Sequence, residues 1–514
     1  MKSLNELGTE QKDNRNSSPV SDSPSVESEE DRKRKRKINR EFTLSFLFSV
    51  IGAVLGFVFS FLAARTLQAD GYGEIQYYLS VSGLVALPIT FGANNFVIKN
   101  VQFATDRKLF LSKIYVLLLL TSTITLPLYF MVAYFLLGRL HQDVLLIFII
   151  FIMAEASSFS SIVVAALTGL NKNEIGTLLS SILPRVVFLT AFVIHYFTNS
   201  LDTFITMYMY YYIGLNVLVS VGYIVKNFKL KGGEKLFTKS ELMTMLAFFL
   251  TWVCYNATTP IANVIIGEKY QEFGVVGIYS VSAEILSVAA IVPNIVISIS
   301  YPVFSKLTKE KKADAIQKYF ETATRIMSYF GIPFFVAFAF EAHQLLSLFG
   351  DSYLGYEWIL AFLSISSVIE CSTGPTGSIL LMGGKEKENL FASIIRFVVF
   401  IGLLVGLIQV TVYAAPIAMI VSTLIANIFK LLFVNRFFHR NFFTRRIVLP
   451  LLVDLTVCSA CFFGLSFINN VVIWLVANCL VGGGLIAASV IFSPFKEDQN
   501  FFITKKTSVI QEPN

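Results

Sequence analysis

The residues best placed to do chemistry are a handful of charges set alone inside long apolar runs. Glu155 is followed by a Gly169-Leu170-Asn171-Lys172 turn and then by Arg185, and the same order returns in Glu370, Gly384, Lys387 and Arg396. The two copies align without a gap for about twenty residues, with Ser157 falling on Ser372, and a four-residue slip then brings Arg185-Val186-Val187 onto Arg396-Phe397-Val398. Glu284 is a further lone carboxylate, and Gly83 or its neighbours occupy the corresponding level of the first copy. An isolated charge at mid-membrane costs about 2.5–3.5 kcal/mol on insertion scales, so each needs a partner or a wet cavity. Guanidinium donors match phosphate oxygens, which makes Arg185 and Arg396 candidates for an anionic headgroup. The competing reading pairs each arginine with the carboxylate of its own copy, Arg185 with Glu155 and Arg396 with Glu370. Glu155, Glu370 and, as a single unduplicated site, Glu284 are the candidates for a proton or Na⁺ coupling site. Glu341 lies nearer the outer face and Asp454 begins a later apolar run.

Metal and redox chemistry find little support. The four histidines, His141, His195, His343 and His439, show no ligand spacing, and Cys254, Cys371, Cys458, Cys461 and Cys479 all fall in apolar segments. Cys458 and Cys461 form a CxxC without a second pair, so they read as small interface residues. No Walker-type Gly-rich phosphate loop is present, and no cofactor is expected.

The elements that position these charges are membrane helices. The chain has 514 residues, 55% hydrophobic and 15% charged, with a mean hydropathy of +0.67. A soluble protein carries about 25% charged residues, so the composition indicates an all-α polytopic membrane protein. The net charge of +7 sits in short connections and is no sign of nucleic-acid binding. Fourteen stretches have the ~20-residue length a bilayer requires: Phe42–Ala64, Ile75–Ile98, Ile114–Leu137, Val144–Thr168, Ile175–Phe197, Thr203–Val225, Leu242–Ile266, Val275–Phe304, Arg325–Phe349, Trp358–Met382, Leu390–Val412, Pro416–Val434, Ile447–Ile468 and Val471–Phe492.

With the N-terminus inside, alternate connections collect Lys99, Arg107, Lys108, Lys113, Lys172, the run Lys226 to Lys239, Lys306 to Lys318, Lys385, Lys387 and Arg436 to Arg446, whereas the other set holds Arg65, Arg139 and Lys269. That asymmetry places both termini in the cytoplasm. Residues 1–40 read as a disordered cytoplasmic tail ending in the basic run Arg32–Lys37 and Arg40, 41–225 as a first six-helix bundle, 226–241 as a cytoplasmic linker, 242–434 as a second bundle, and 435–514 as two added helices and a short tail. The basic run serves topology first and anionic lipid second. Because the copies lie six helices apart, both bundles enter the membrane in the same sense, as parallel repeats about an axis along the membrane normal. All outer loops are short, which counts against an enzyme working on an external glycan.

The repeat extends to Gly71-Tyr72-Gly73 with Tyr78 and to Gly274 with Tyr279. Ala64-Arg65-Thr66-Leu67 before Gly71-Tyr72-Gly73, Phe91-Gly92-Ala93, Gly277-Ile278-Tyr279-Ser280 and Tyr301-Pro302-Val303-Phe304-Ser305 resemble the landmarks of the polysaccharide (O-antigen and teichoic-acid type) flippases of the multidrug/oligosaccharidyl-lipid/polysaccharide (MOP) exporter superfamily. Gln68 stands where that family usually has Gly, and the likeness covers Phe42 to about Val434. The resemblance implies two six-helix bundles of MATE-like architecture, alternating access, and export of an isoprenoid-pyrophosphate-linked glycan, with room for a glycan polymerase or ligase partner; low Cys use, a Lys/Ile/Phe-rich composition and the absence of organelle signals point to a bacterial plasma membrane. A MATE-type drug/cation antiporter is the alternative; that family relies on an acidic residue in an early helix, and the first three spans here hold no Asp or Glu. Pro88, Pro127, Pro184, Pro260, Pro293, Pro333 and Pro375 lie within spans, as hinges or, for most of them, packing features, and Asn94, Asn95, Asn256 and Asn263 are candidates for sugar or interhelical hydrogen bonds.

Overall fold

The computed structural model of the chain describes residues 29–138, 143–170, 172–185, 201–229, 237–270, 272–468, 470–495 and 497–498, together with Leu189, Val193 and Phe197. It is all-helical among these residues. Helix α1 (Glu29–Thr90) is broken at Gln68, whose φ of 59° interrupts two arms, and α2 (Ala93–Asn100) leaves it at 53° through Phe91 and Gly92. Next come α3 (Arg107–Leu136), α4 (Val144–Gly169), α5 (Asn173–Thr177) and α6 (Leu201–Asn227). The second half comprises α7 (Lys239–Asn256), α8 (Thr258–Lys269), α9 (Gly274–Ala289), α10 (Ile291–Lys309), α11 (Ala313–Phe340), α12 (Ala342–Ser347), α13 (Trp358–Thr373), α14 (Thr376–Met382), α15 (Glu386–Leu407) and α16 (Ala414–Phe438). Helices α17 (Arg445–Leu465) and α18 (Val471–Ile491) close the order.

Local chemistry sets several of these starts. Asp106 accepts from the backbone N–H of Lys108 (3.1 Å) and Leu109 (3.2 Å), Asp143 from that of Leu146 (3.0 Å), and Thr238 with Glu241 forms a capping box at the head of the second half. Each satisfies amide donors that an uncapped helix leaves open. Among the described residues nine helices are long and apolar enough to cross a membrane, or twelve when the bent pairs α1–α2, α7–α8 (57°) and α13–α14 (47°) count as single spans. The first and second expected stretches together form the arms of α1 that count with α2 as one of those twelve, and the fifth falls largely outside the described residues beyond Arg185. Leu119, Leu120, Ile124 and Phe135 on α3, and Leu449, Leu452 and Val453 on α17, are exposed apolar residues, as a lipid-facing surface requires.

Three expectations change. Helix α1 begins at Glu29 rather than after residue 40, with acidic residues leading basic ones in the sense the helix dipole favours. The eighth stretch, Val275–Phe304, is divided at Ala290 into α9 and α10, with Pro293 in the first turn of α10, where its missing N–H costs nothing. The ninth begins at Ala313, twelve residues before Arg325, and stops at Glu341. Its added polar turns are stable because neighbours pair or hydrogen-bond them: Arg440 bonds Asp314, Lys318 pairs with Glu497 at 2.8 Å, and Thr444 donates to Glu321 at 2.9 Å. Of the expected linker 226–241, Lys226 and Asn227 remain in α6 and Lys239 already opens α7.

The halves meet along a seam that only small residues allow. At the crossing of α1 and α9, a Cβ on Gly73 would lie 2.1 Å from the Phe273 carbonyl oxygen, and one on Gly277 would lie 2.1 Å from that of Ala69. The Tyr353 hydroxyl donates to the carbonyls of Ala64 (2.9 Å) and Gln68 (3.2 Å), and Ser352 Oγ receives the Ala69 amide (3.1 Å). At the other end of this arm Gly92, at φ 72°, lies so close to α7 that a Cβ would sit 2.2 Å from the Met245 oxygen, with Phe91 stacked on Phe249.

Candidate functional site

The seam carries the first group of charges. Tyr72, buried on the second arm of α1, donates to Glu284 Oε1 of α9 at 2.9 Å, and Gln76 Nε2, one turn on, donates to the Tyr72 hydroxyl at 2.9 Å. Ser60, from the first arm, and Arg185 complete the surroundings of the Glu284 carboxylate. Four chain segments therefore converge on one carboxylate, and the i, i+4 spacing of Tyr72 and Gln76 puts both on one helix face. Arg185 is delivered by a local distortion. Pro184 has no N–H to close the preceding turn, and Leu178–Ile182 is a π-helix that ends with the Leu183 amide on the Leu178 carbonyl. The guanidinium then lies against Gly56, where a Cβ would be 3.0 Å from Arg185 Nε.

The duplicated pattern offers Arg185 and Glu155 as a pair within one half. Among the described residues no ion pair within 4.0 Å joins Arg185 to Glu155 or to Glu284; Glu155 accepts from Ser122 of α3 at 3.0 Å, and Glu284 feels Arg185 only as a longer-range charge across the seam. Arg396 does face the carboxylate of its own copy, with Nη1 3.9 Å from Glu370 Oε1, but Glu370 is half exposed and the contact is loose. Its Nη2 also reaches Met419 Sδ at 3.6 Å, and its buried Nε has no partner. The two arginines are thus unlike in surroundings.

Other sequence candidates prove to be joints. Asn263 Nδ2 donates to Ser80 Oγ across the halves (2.9 Å) and its Oδ1 accepts from Ser280 (3.3 Å). Asn94 accepts from Ser161 (3.0 Å), and Asn256 returns to its own helix at the Trp252 carbonyl. Asn95 is exposed. Tyr77 adds an unforeseen cross-half bond to Glu268. Two cavities, of about 320 and 280 Å³, flank the seam; the first is lined by Glu74, Tyr78, Asp143 and Tyr210 and the second by Val81, Leu84, Pro88 and Tyr129, and no candidate charge lines either.

Two buried cations escape the sequence reading. Arg325 of α11 forms a bidentate pair with Asp498, Nη2–Oδ1 2.7 Å and Nε–Oδ2 2.8 Å, under the ring of Phe495. In sequence Arg325 only heads a span, and its partner lies 173 residues away, beyond any local pattern. Lys430 of α16 is 6% exposed and sits 5.6 Å over the Tyr255 ring. It is a lone charge inside an apolar run, the same signal that marks Arg185, and its nearness to the end of the twelfth stretch disguises it. All five cysteines are free, and no group of three metal-ligating side chains occurs among the described residues.

The profile of the family described as polysaccharide biosynthesis protein matches residues 38–308, just over half the chain. The chain belongs to the polysaccharide biosynthesis protein family. Its fold resembles that of the lipid II flippase MurJ in an inward closed conformation, with a TM-score of 0.68, 16% identity, and 88% of this chain and 98% of that one covered. It also resembles an inward-facing multidrug resistance MATE transporter of the MOP superfamily, at a TM-score of 0.55 and 13% identity over 75% of this chain and 98% of the other. A third relative in fold is an outward-facing multidrug resistance MATE transporter of the MOP superfamily, at a TM-score of 0.51 and 14% identity over 78% and 95%. A search of curated protein sequences finds no significant match. The fold read from the sequence therefore holds: an all-helical membrane fold of MATE-like architecture, in a member of the polysaccharide biosynthesis protein family. The lipid II flippase likeness spans nearly nine-tenths of this family member, well past the 38–308 profile match.

Proposed function

We propose that this polysaccharide biosynthesis family member is a secondary transporter, not an enzyme, that moves an isoprenoid-pyrophosphate-linked oligosaccharide or cell-wall polysaccharide precursor from the inner to the outer leaflet by alternating access. The observation that carries the reading is the group of Arg185, Glu284, Tyr72 and Gln76 at the seam: charges are concentrated where two tightly apposed halves must part. Arg185, and Arg396 in the second half, supply guanidinium donors for the pyrophosphate. Glu284, linked through Tyr72 to the seam, is the favoured proton or Na⁺ site, with Glu155 and Glu370 as lesser candidates because one is held by Ser122 and the other is half exposed. With the interior negative, each net negative charge moved outward gains ~2.3 kcal/mol per 100 mV, so an anionic lipid needs no ATP. Both termini face the cytoplasm of a bacterial cell on the charge asymmetry of the loops, and a polymerase or ligase receives the product outside.

The test is glycan export in cells carrying Arg185→Ala, Arg396→Ala or both, with protein level in the membrane measured alongside. Accumulation of lipid-linked precursor in the inner leaflet at normal protein level is the expected result; unaltered export in the double variant contradicts it. A second reading, a cation-coupled drug exporter, is favoured by the seam carboxylate Glu284 and by the MATE-like fold. It predicts that Glu284→Gln abolishes efflux of a cationic dye while glycan export continues.

A further inference from the structure

In the second half, helices α15 and α16 pack along much of their length, and the faces they turn to one another carry matched polar ladders. Asn389, Ser393 and Arg396 recur on α15 at steps of four and three, and Thr423, Asn427 and Lys430 do so on α16; such steps keep side chains on one face. Asn389 is 1% exposed, Ser393 2%, Thr423 2%, Asn427 5% and Lys430 6%. Tyr255 of α7 closes the group: its hydroxyl lies beside Ser393 and Asn389 and within electrostatic reach of Lys430 and Arg396. Gly377 of α14 borders it too, and a Cβ there would stand 3.4 Å from Asn389 Oδ1 and 3.9 Å from the Tyr255 oxygen.

The hydrogen-bond and charge balance of this group is incomplete. Asn427 Nδ2, Arg396 Nε and Thr423 Oγ1 are buried donors without an acceptor, and Asn389 Oδ1 is a buried acceptor without a donor. Among the described residues the Lys430 ammonium has no carboxylate within 4.0 Å, and the single carboxylate near either cation is Glu370, at 3.9 Å from Arg396. Buried polar atoms are ordinarily satisfied and buried charges paired. Arg396 and Lys430, with the unaccepted Asn427 and Thr423 donors beside them on the facing helices about Tyr255, lack one thing in common, an anion with several oxygens.

We infer that Lys430, Arg396, Asn427 and Thr423 form an anion site between α15 and α16 that takes a phosphate or pyrophosphate group. Lys430 supplies the point charge, Arg396 and Asn427 the directional N–H donors, and Asn389 accepts a hydroxyl carried by the same ligand. This deepens the proposed function by giving the headgroup a station in the second half, and rests on that reading only for the lipid-linked form of the ligand. Free phosphate and a lipid headgroup share this chemistry.

The experiment is titration calorimetry of the purified full-length protein in nanodiscs with inorganic pyrophosphate and, separately, with farnesyl pyrophosphate. It compares wild type, Lys430→Met, Lys430→Arg, Asn427→Leu and Arg185→Ala, each first checked for an unchanged melting temperature. Loss of a charge-assisted hydrogen bond weakens binding about tenfold or more, so Lys430→Met should lose that much while Lys430→Arg stays near wild type. Asn427→Leu, which leaves both cations in place, guards against a lysine variant that fails to fold. Equal Lys430 dependence with both probes assigns the site to the pyrophosphate group whether or not a lipid carries it; dependence with farnesyl pyrophosphate alone assigns it to a lipid headgroup. Binding to inorganic pyrophosphate alone keeps the site and removes the lipid-linked reading. Wild type that binds neither probe overturns the site, as does binding unchanged in both Lys430→Met and Asn427→Leu; in that latter case, loss of binding in Arg185→Ala leaves the proposed function standing without it.

Discussion

At the scale of single residues, the informative charges are those with no reason to be where they are. Arg185, Arg396, Glu155, Glu284 and Glu370 are legible because each interrupts an apolar run, and that rule is independent of the fold. Their partners are not legible. The π-turn before Pro184, which sets the level of Arg185, is announced by no pattern, and Asp498 reaches Arg325 only once α18 has been folded back. An exposed pair outside the membrane segments offers a pH test. Lys229 Nζ lies 2.8 Å from Asp106 Oδ2; the bond from Lys229, with the Leu109 and Lys108 amides, holds the Asp106 carboxyl below its usual 3.8, and Asp106 raises Lys229 above 10.5. A depressed carboxylate stabilises above its unfolded value and loses that contribution as pH falls through the folded one; a raised lysine loses its contribution as pH climbs through its folded value. The melting temperature of wild type should therefore exceed that of Lys229→Ala by a small margin near neutral pH. The margin should close below pH 3.8 and again above pH 10.5; a margin that persists under acid would mean the pair contributes nothing.

Among the helices, hydropathy locates most spans and misjudges their ends. Polar turns such as Ala313–Thr324 read as a connection because their charges are visible in sequence while their partners, Arg440, Glu497 and Thr444, are not. Of the seam glycines, Gly73 is legible in the repeat and Gly277 in the family resemblance, but their purpose, backbone contact between α1 and α9, needs three dimensions. Gly277→Val places side-chain atoms against the Ala69 carbonyl. Overpacking of this kind costs about 1–3 kcal/mol, and the crossing should open. Pulsed electron resonance between labels at Asp70 and Glu272 should report a longer and broader distance than in the parent protein. An unchanged distance would show that the crossing is not a close contact.

For the molecule as a whole, the last two helices are tied to the second half by a buried network. Asp498 receives Arg325, Tyr329 (3.2 Å) and Ser493 (2.7 Å), and its side chain is wholly buried. Removing one member of a buried pair strands the other, at a cost of about 3–5 kcal/mol, whereas replacing both by apolar residues is often neutral. Arg325→Ala should lower the melting temperature and expose the chain beyond Ile491 to protease, and Arg325→Met with Asp498→Leu should recover most of the loss. Equal stability of the single and double variants would deny the network that anchoring role.

The central claim is that charges at the seam carry an anionic lipid between leaflets. Its most direct measurement is the movement of a fluorescent isoprenyl-pyrophosphate disaccharide across vesicles holding the purified protein, read by quenching of the outer leaflet, with and without an imposed potential. Wild type should move the lipid, faster when the destination side is positive, and Arg185→Ala should slow it about tenfold or more, as loss of a charged hydrogen bond implies. Vesicles in which wild type moves none of this lipid, or in which Arg185→Ala moves it at the wild-type rate, would contradict the account.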